Sequence, residues 1–460
     1  MIILTLAEIA GIVGGTLHDA LDPRARVTAG MDFDSRNVQP GGIFLALRGE
    51  KADGHDYAVS AVKDGSALVF ATRPVGVPAV VVGDVLAAAG ALASHLAGRL
   101  TGTLFIGVTG SSGKTSTKDL IAHVLSNAGE TVATIGNHNG EIGTPETVSR
   151  ADLDTRFLVL EMGARGIGHL RELTDMVPLD VAAVLNVGTA HAGTFGGREA
   201  IAQAKGELVE HLRPEDLAVL NADDPLVRAM TSRTQARVVL VGGAAEAHIR
   251  AEAVRMDDRG RARFQLVTPE GSAKVALQLI GEHHVGNALT AAAIGREGGL
   301  SVDQLSDALS TALPASRWRM EVDERPDGIT IVNDAYNANP ESMRASLHAL
   351  VAMSRGRRTV AVLGEMRELG ADTEREHTRL GELIAELSIS QLITVGGPEA
   401  KRIQQAALRG GVDSLHVPDQ GAAHAFLHQL LVPGDVVLVK ASRGANLQNL
   451  AERLTQSHCA

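Results

Sequence analysis

Short, continuous apolar runs, each ending in a polar or glycine-rich turn, recur along this chain. They fall at 104–108, 157–160, 181–185 and 217–220, and again at 359–364, 392–397 and 436–440. Runs that do not alternate with polar residues predict strands buried on both faces, as in a parallel sheet flanked by helices. Helical periodicity lies between them: Leu120, Ile121, Val124 and Leu125 share one face until Gly129 stops the helix, and 288–294 is an alanine-rich helix. A second alanine-rich helix at 85–100 closes an opening stretch of mixed short strands and helices, and Ala312-Leu313-Pro314 breaks the pattern before it resumes. The chain therefore reads as α/β with three domains: a smaller N-terminal α/β unit over 1–100, a central parallel-sheet unit over 101–313, and a doubly wound, Rossmann-like unit over 314–460.

The central unit carries the strongest chemical signal. Its first strand runs straight into Thr109-Gly110-Ser111-Ser112-Gly113-Lys114-Thr115-Ser116 and then into a helix. Gly110 and Gly113 let the backbone turn its N–H groups inward around a phosphate at the helix N-terminus. Lys114 adds a mobile positive charge and Thr115 a hydroxyl for magnesium. The loop departs from the general P-loop pattern, with Val108 where a glycine is usual and Gly107 displaced by one. Ligands of such sheets gather beyond the carboxyl ends of strands, so the strand ends at Glu161, Asn186 and Asn221 should converge on this loop.

On that reasoning Glu161 is the natural carboxylate for magnesium. His191 reads as a ligand for a second ion or a phosphate, or as a structural histidine. Lys205 lies in an amphipathic helix and by default is a solvated lysine. Asn287 can offer its amide to a purine edge, while the adjacent His283 and His284 lack partners at metal-ligand spacing. In the first unit, Ser35 and Arg36 read as a second phosphate-binding turn or as a surface loop. In the third, the segments 333–340, 364–370 and 440–444 end strands with hydrogen-bonding groups that a core has no use for, which predicts a binding face.

Composition narrows the partners. Aromatic residues make up 2% of the chain and the net charge is −11, which argues against a nucleic-acid surface but leaves small phosphorylated ligands open. The single cysteine, Cys459, offers no disulfide framework or thiol site, and the N-terminal stretch lacks a basic start and an extended apolar core. A cytoplasmic protein is expected, with no membrane span.

These residues together resemble the Mur ligases, ATP-dependent amide-forming enzymes of peptidoglycan synthesis, and the likeness covers all three units. The segment 109–115 is similar to the family's variant P-loop, which accounts for Val108. The resemblance implies that Lys114, Glu161, His191 and Lys205 are catalytic and that Thr115, Glu161, His191 and Lys205 form the metal site, with magnesium and a possibly carbamylated Lys205. It also implies that the segment 109–116, Asn287, Arg319 and Asp334 contact ATP. The strings 333–340, 363–370 and 440–443 resemble the subgroup that joins UDP-N-acetylmuramoyl-tripeptide to D-alanyl-D-alanine, with Ser35 and Arg36 at the UDP end and Asn337, Asn339, Ser442 and Arg443 on the dipeptide side. His284 stands where the family usually has asparagine, and Ala441 where glycine is frequent. The resemblance further implies a monomer with no nucleic-acid partner. Residue patterns alone leave open another ligase of this kind, a folylpolyglutamate synthetase, a P-loop kinase or ATPase, or a nucleotide-gated interaction protein.

Overall fold

The structure, a computed structural model, describes residues 1–49, 52–189 and 192–456, so His191 and Cys459 lie outside the described residues. It is an α/β architecture built on three main sheets. The N-terminal sheet is five-stranded, in spatial order Thr16–His18, Ala79–Val81, Leu68–Ala71, Ile43–Leu45 and Met31–Asp32, and only its first pair is antiparallel. The third sheet is six-stranded, with the antiparallel Glu321–Glu324 at one edge of parallel strands, as a Rossmann-like unit requires.

The central sheet has nine strands. It is parallel from Thr131–Ala133 through Phe157–Glu161, Leu104–Thr109, Val181–Val184, Leu217–Asn221 and Arg237–Gly242 to Ile249–Met256. Two antiparallel strands, Arg261–Thr268 and Gly271–Ile280, then extend it. The run-based reading missed this hairpin because its strands alternate buried and accessible positions, the pattern of a sheet with one wet face. Among the described residues no helix is long and apolar enough to cross a membrane.

Alternation along the buried strands decides how the units join. Phe157 and Val159 point into a core shared with the helices Lys114–Leu125 and His284–Glu297. Leu158 and Leu160 point the other way, into a core that continues through Ala89, Leu92, Ile43 and Leu68 of the N-terminal unit. The first two units are thus fused by common apolar burial. The third keeps two cores of its own, against one of which Ile280 of the second packs, and it also meets the second through polar contacts.

Parallel register brings the chemistry to one edge. Glu161 pairs with Val108 and Val184 with Thr109, so these strands end level with the glycine-rich loop. Val108 and Thr109 are still strand residues and fully buried, which explains why no glycine is needed at 108. Gly107 serves packing instead: a Cβ there would lie 2.4 Å from Leu179 Cδ1. Gly107→Val should overpack this layer at a cost of about 1–3 kcal/mol, read as a lower thermal unfolding midpoint with the native circular-dichroism spectrum retained.

Candidate active site

The loop after Leu104–Thr109 turns through Gly113, whose φ of 79° is left-handed, and delivers Lys114 as the first residue of a helix. Gly110 is required by a neighbour, since a Cβ there would sit 2.9 Å from Leu185 Cβ. Asn186 holds the loop's shape. Its Oδ1 accepts from the backbone N–H of Ser111 at 3.0 Å and of Ser112 at 2.9 Å, and its Nδ2 donates to Ser112 O at 3.1 Å. Lys114 Nζ donates to Gly110 O at 2.7 Å.

Thr115 lies at the centre. Its hydroxyl donates to Glu161 Oε2 at 2.7 Å and accepts from Arg319 Nη2 at 2.8 Å, while Asn139 Nδ2 donates to Glu161 Oε1 at 2.8 Å. Thr115 and Glu161 are both buried. A buried carboxylate beside a hydroxyl, both hard oxygen donors next to a phosphate-type loop, fits the ligand preference of magnesium, which keeps few protein ligands and takes the rest from phosphates and water.

A cleft of about 450 Å³ opens in front of this pair, lined by the loop, Lys205 and Asn287 from the second unit and by Arg319, Tyr336, Asn337 and Lys440 from the third. Lys205 is buried rather than solvated, and no side chain among the described residues hydrogen-bonds its amine. Burial, with the Lys114 charge adding to it, holds the Lys205 amine well below the usual lysine range. Burial also lowers Lys114, partly offset by Glu161.

The third unit reaches in through a strained turn. Trp318 and Met320 take positive φ values of 59° and 52°, a left-handed geometry that non-glycine residues rarely adopt, and Arg319 between them is turned toward Thr115. The Arg319 guanidinium also lies 4.1 Å from the Tyr336 ring centre, and Arg443 Nη1 donates to Tyr336 Oη at 3.1 Å. Asp334 is buried and paired with Lys440, whose Nζ donates to its Oδ2 at 2.6 Å. Asn287 Nδ2 lies 3.2 Å from His284 Nδ1, and burial drives His284 well below the usual imidazole range, so it stands neutral beside this amide.

The candidates read from the sequence separate into two groups. The structure brings Lys114, Thr115, Glu161, Lys205, Asn287, Arg319, Asp334, Asn337 and Asn339 around one cleft. Asn339 caps the helix Pro340–Ser354 by accepting from Ser342 N, and Ser442 Oγ accepts from Arg367 N, so both oxygens are committed to local structure. Ser442 and Arg443 stand outside the cleft lining, Arg443 behind the Tyr336 ring. Ser35 and Arg36 also stand apart from this cleft: Arg36 is exposed and paired to Asp34. His191 cannot be placed, because it lies outside the described residues.

Asn139 and Glu341 line the cleft without having been singled out by residue pattern, while Asn186 arrives at the loop as its strand end predicts. Asn139 could have been found: the stretch Gly136-Asn137-His138-Asn139-Gly140 follows Thr131–Ala133, the sheet neighbour of the Glu161 strand.

Comparison with known proteins is consistent along the whole chain. Family models described as Mur ligase family, catalytic domain, as Mur ligase middle domain and as Mur ligase, glutamate ligase domain match residues 28–94, 108–295 and 318–443. The UDP-N-acetylmuramoyl-tripeptide--D-alanyl-D-alanine ligase of Mycobacterium tuberculosis is 46% identical, covering 99% of this chain and 98% of that protein. The protein of the same name from Escherichia coli is 32% identical over 99% of each. Among solved structures, MurF from Acinetobacter baumannii superposes with a TM-score of 0.87 at 30% identity over 99% of both chains. MurF from Thermotoga maritima in complex with ADP gives 0.79 at 29% identity, covering 94% of this chain and 98% of that one.

The buried Asp334–Lys440 pair yields a stability prediction that needs no substrate. Lys440→Met should cost about 3–5 kcal/mol by leaving a buried carboxylate unpaired, and adding Asp334→Leu should recover most of it. Urea unfolding followed by the fluorescence of Trp318, the only tryptophan of the sequence, checks this in the third unit.

Proposed function

Because the chain belongs to the Mur ligase family, we propose that it is an ATP-dependent ligase joining D-alanyl-D-alanine to UDP-N-acetylmuramoyl-tripeptide, the last cytoplasmic peptide addition in peptidoglycan precursor synthesis. The observation that carries this reading is one cleft in which a phosphate loop with its buried carboxylate faces the asparagine-rich strand ends of a separate unit. Residues 1–100 are assigned to the UDP end of the acceptor, 101–313 to ATP and 314–460 to the dipeptide. The enzyme acts as a monomer.

A terminal carboxylate oxygen of the tripeptide attacks the γ-phosphorus, and its bond to the ADP oxygen breaks, giving an acyl phosphate and ADP. The free amine of D-alanyl-D-alanine then attacks the acyl carbon; the amide forms, phosphate leaves, and the amine gives up its proton. Such transfers need positioning and charge neutralisation more than covalent help from the protein. The loop amides and Lys114 hold the β- and γ-phosphates. Arg319, set between Thr115 and the Tyr336 ring, reaches the same charge from the third unit. Asn287, with His284 beside it, faces the base, and Asp334 the ribose side.

Thr115 and Glu161 would hold magnesium, which would supply charge neutralisation at the phosphates, and His191 and Lys205 would hold a second ion. Lys205 suits that role once carbamylated, and its own surroundings favour the modification. A neutral amine is the form that adds carbon dioxide, and the product exchanges a repelled cation for a carboxylate next to Lys114.

Two outcomes are expected. Phosphate release should require UDP-N-acetylmuramoyl-tripeptide and D-alanyl-D-alanine together; turnover with single amino acids and none with the dipeptide would assign a different ligase, and phosphorylation of a stable acceptor a kinase. A magnesium-loaded crystal structure prepared with bicarbonate should show extra density of a carbamate on Lys205, and a bare amine there would refute the modification.

A further inference from the structure

Two contacts from the third unit reach the second, one at Thr189 and one at Gly193. At the first, Glu341 Oε1 accepts from Thr189 N at 2.8 Å and from Thr189 Oγ1 at 3.1 Å. Glu341 is held firmly for this task. It lies in the first turn of Pro340–Ser354, next to the reciprocal cap in which Ser342 N donates to Asn339 Oδ1 at 2.8 Å and Asn339 N to Ser342 Oγ at 3.1 Å. The approach also requires a glycine on the other strand of contact, since a Cβ at Gly188 would lie 2.7 Å from Glu341 Cδ.

At the second, Gly193 N donates to Glu368 O at 3.3 Å. Backbone meets backbone here: a Cβ on Gly193 would lie 2.6 Å from Gly370 N, and one on Gly370 would lie 2.4 Å from Gly193 Cα. Glu368 and Gly370 both have positive φ, 65° and 58°, so the turn that makes this contact is strained at a non-glycine residue. A strained turn is kept where the surrounding structure holds it to a purpose.

The segment 186–189 leads directly to the phosphate loop. Gly188 N donates to Ser111 Oγ at 2.9 Å, and Asn186 Oδ1 accepts from the amides of Ser111 and Ser112. The contact therefore continues from Glu341 to Thr189, along the peptide to Gly188, and by the Gly188 amide to Ser111 Oγ in the loop that would hold ATP. Resting on the reading of the cleft as an ATP-dependent ligase site, we infer that Glu341 is a positioning residue through which docking of the dipeptide-binding unit sets the 186–189 segment and the phosphate loop behind it. The Gly193–Gly370 approach is the second point of the same docking.

Full-length wild type, Glu341→Ala, Glu341→Gln and Gly193→Val test this. In hydrogen exchange read by mass spectrometry without substrates, peptides covering 186–189 should exchange about tenfold faster in Glu341→Ala, as expected for loss of one charge-assisted hydrogen bond, with the rest of the chain unchanged. Glu341→Gln keeps an acceptor oxygen and should restore most of the protection. In turnover, Glu341→Ala and Gly193→Val should lower kcat about tenfold, by the same reasoning, and leave KM for ATP within about twofold. Wild-type exchange and kcat in Glu341→Ala would overturn the inference, as would faster exchange spread evenly over the whole chain. Wild type inert toward both substrates would instead sink the proposed function, and the exchange measurement would still decide the role of Glu341.

Discussion

One hydroxyl ties this molecule together. Thr115 Oγ1 spends its single proton on Glu161 and takes a hydrogen bond from Arg319, so three separate pieces of chain meet on one oxygen: the phosphate loop, the end of a buried parallel strand and the first turn of the third unit. That meeting depends on the register of the sheet. Were the Glu161 strand displaced by one residue against Leu104–Thr109, the carboxylate would point to the opposite face and the hydroxyl would lose its partner. The long apolar runs therefore do more than build a core, because the same burial that makes each strand stable fixes where its polar end arrives.

The division of the cores gives the molecule its mechanical character. Shared apolar burial packs the first two units around one continuous core. The third unit shares no such continuous core with them: beside the packing of Ile280 it is attached by hydrogen bonds, which water can replace at small net cost when they open. Such an interface can close and release in each cycle while each core stays intact. A ligase that must admit a nucleotide, a large acceptor and a dipeptide, and then exclude water, needs that combination.

The legible and illegible parts of the sequence follow from how local each cause is. Strands, the helix after the loop, the loop itself and the convergence of Glu161 on it depend on patterns within a few residues, and residue order carried them. The antiparallel hairpin at 261–280 was hidden because its alternation contains no apolar run. Lys205 looked solvated because a helix pattern says little about what covers each face, and only the assembled cleft shows it to be buried. Glu341 acts across 152 residues, and the turn that aims Arg319 depends on two left-handed residues, Trp318 and Met320, that no propensity favours. The polar strings of the third unit also carry local structure. Asn339 and Ser442 stand among binding-type residues, yet their oxygens serve the helix cap and a loop crossing.

The net charge and the cleft point in opposite directions, and the difference is instructive. A chain of net charge −11 places Lys114, Arg319 and Lys440 around one cleft, where low solvation strengthens every interaction among them. Lys440 is neutralised by Asp334, and Glu161 answers only part of the rest. Burial makes the Lys114 charge costly to hold and lowers its proton affinity, an effect that Glu161 only partly offsets. A triphosphate relieves that cost most while its charge is concentrated near the γ-phosphoryl group, which is where charge must be neutralised for transfer. The net negative charge of the chain disfavours long polyanions, while a compact one can still be seated among the cations of the cleft.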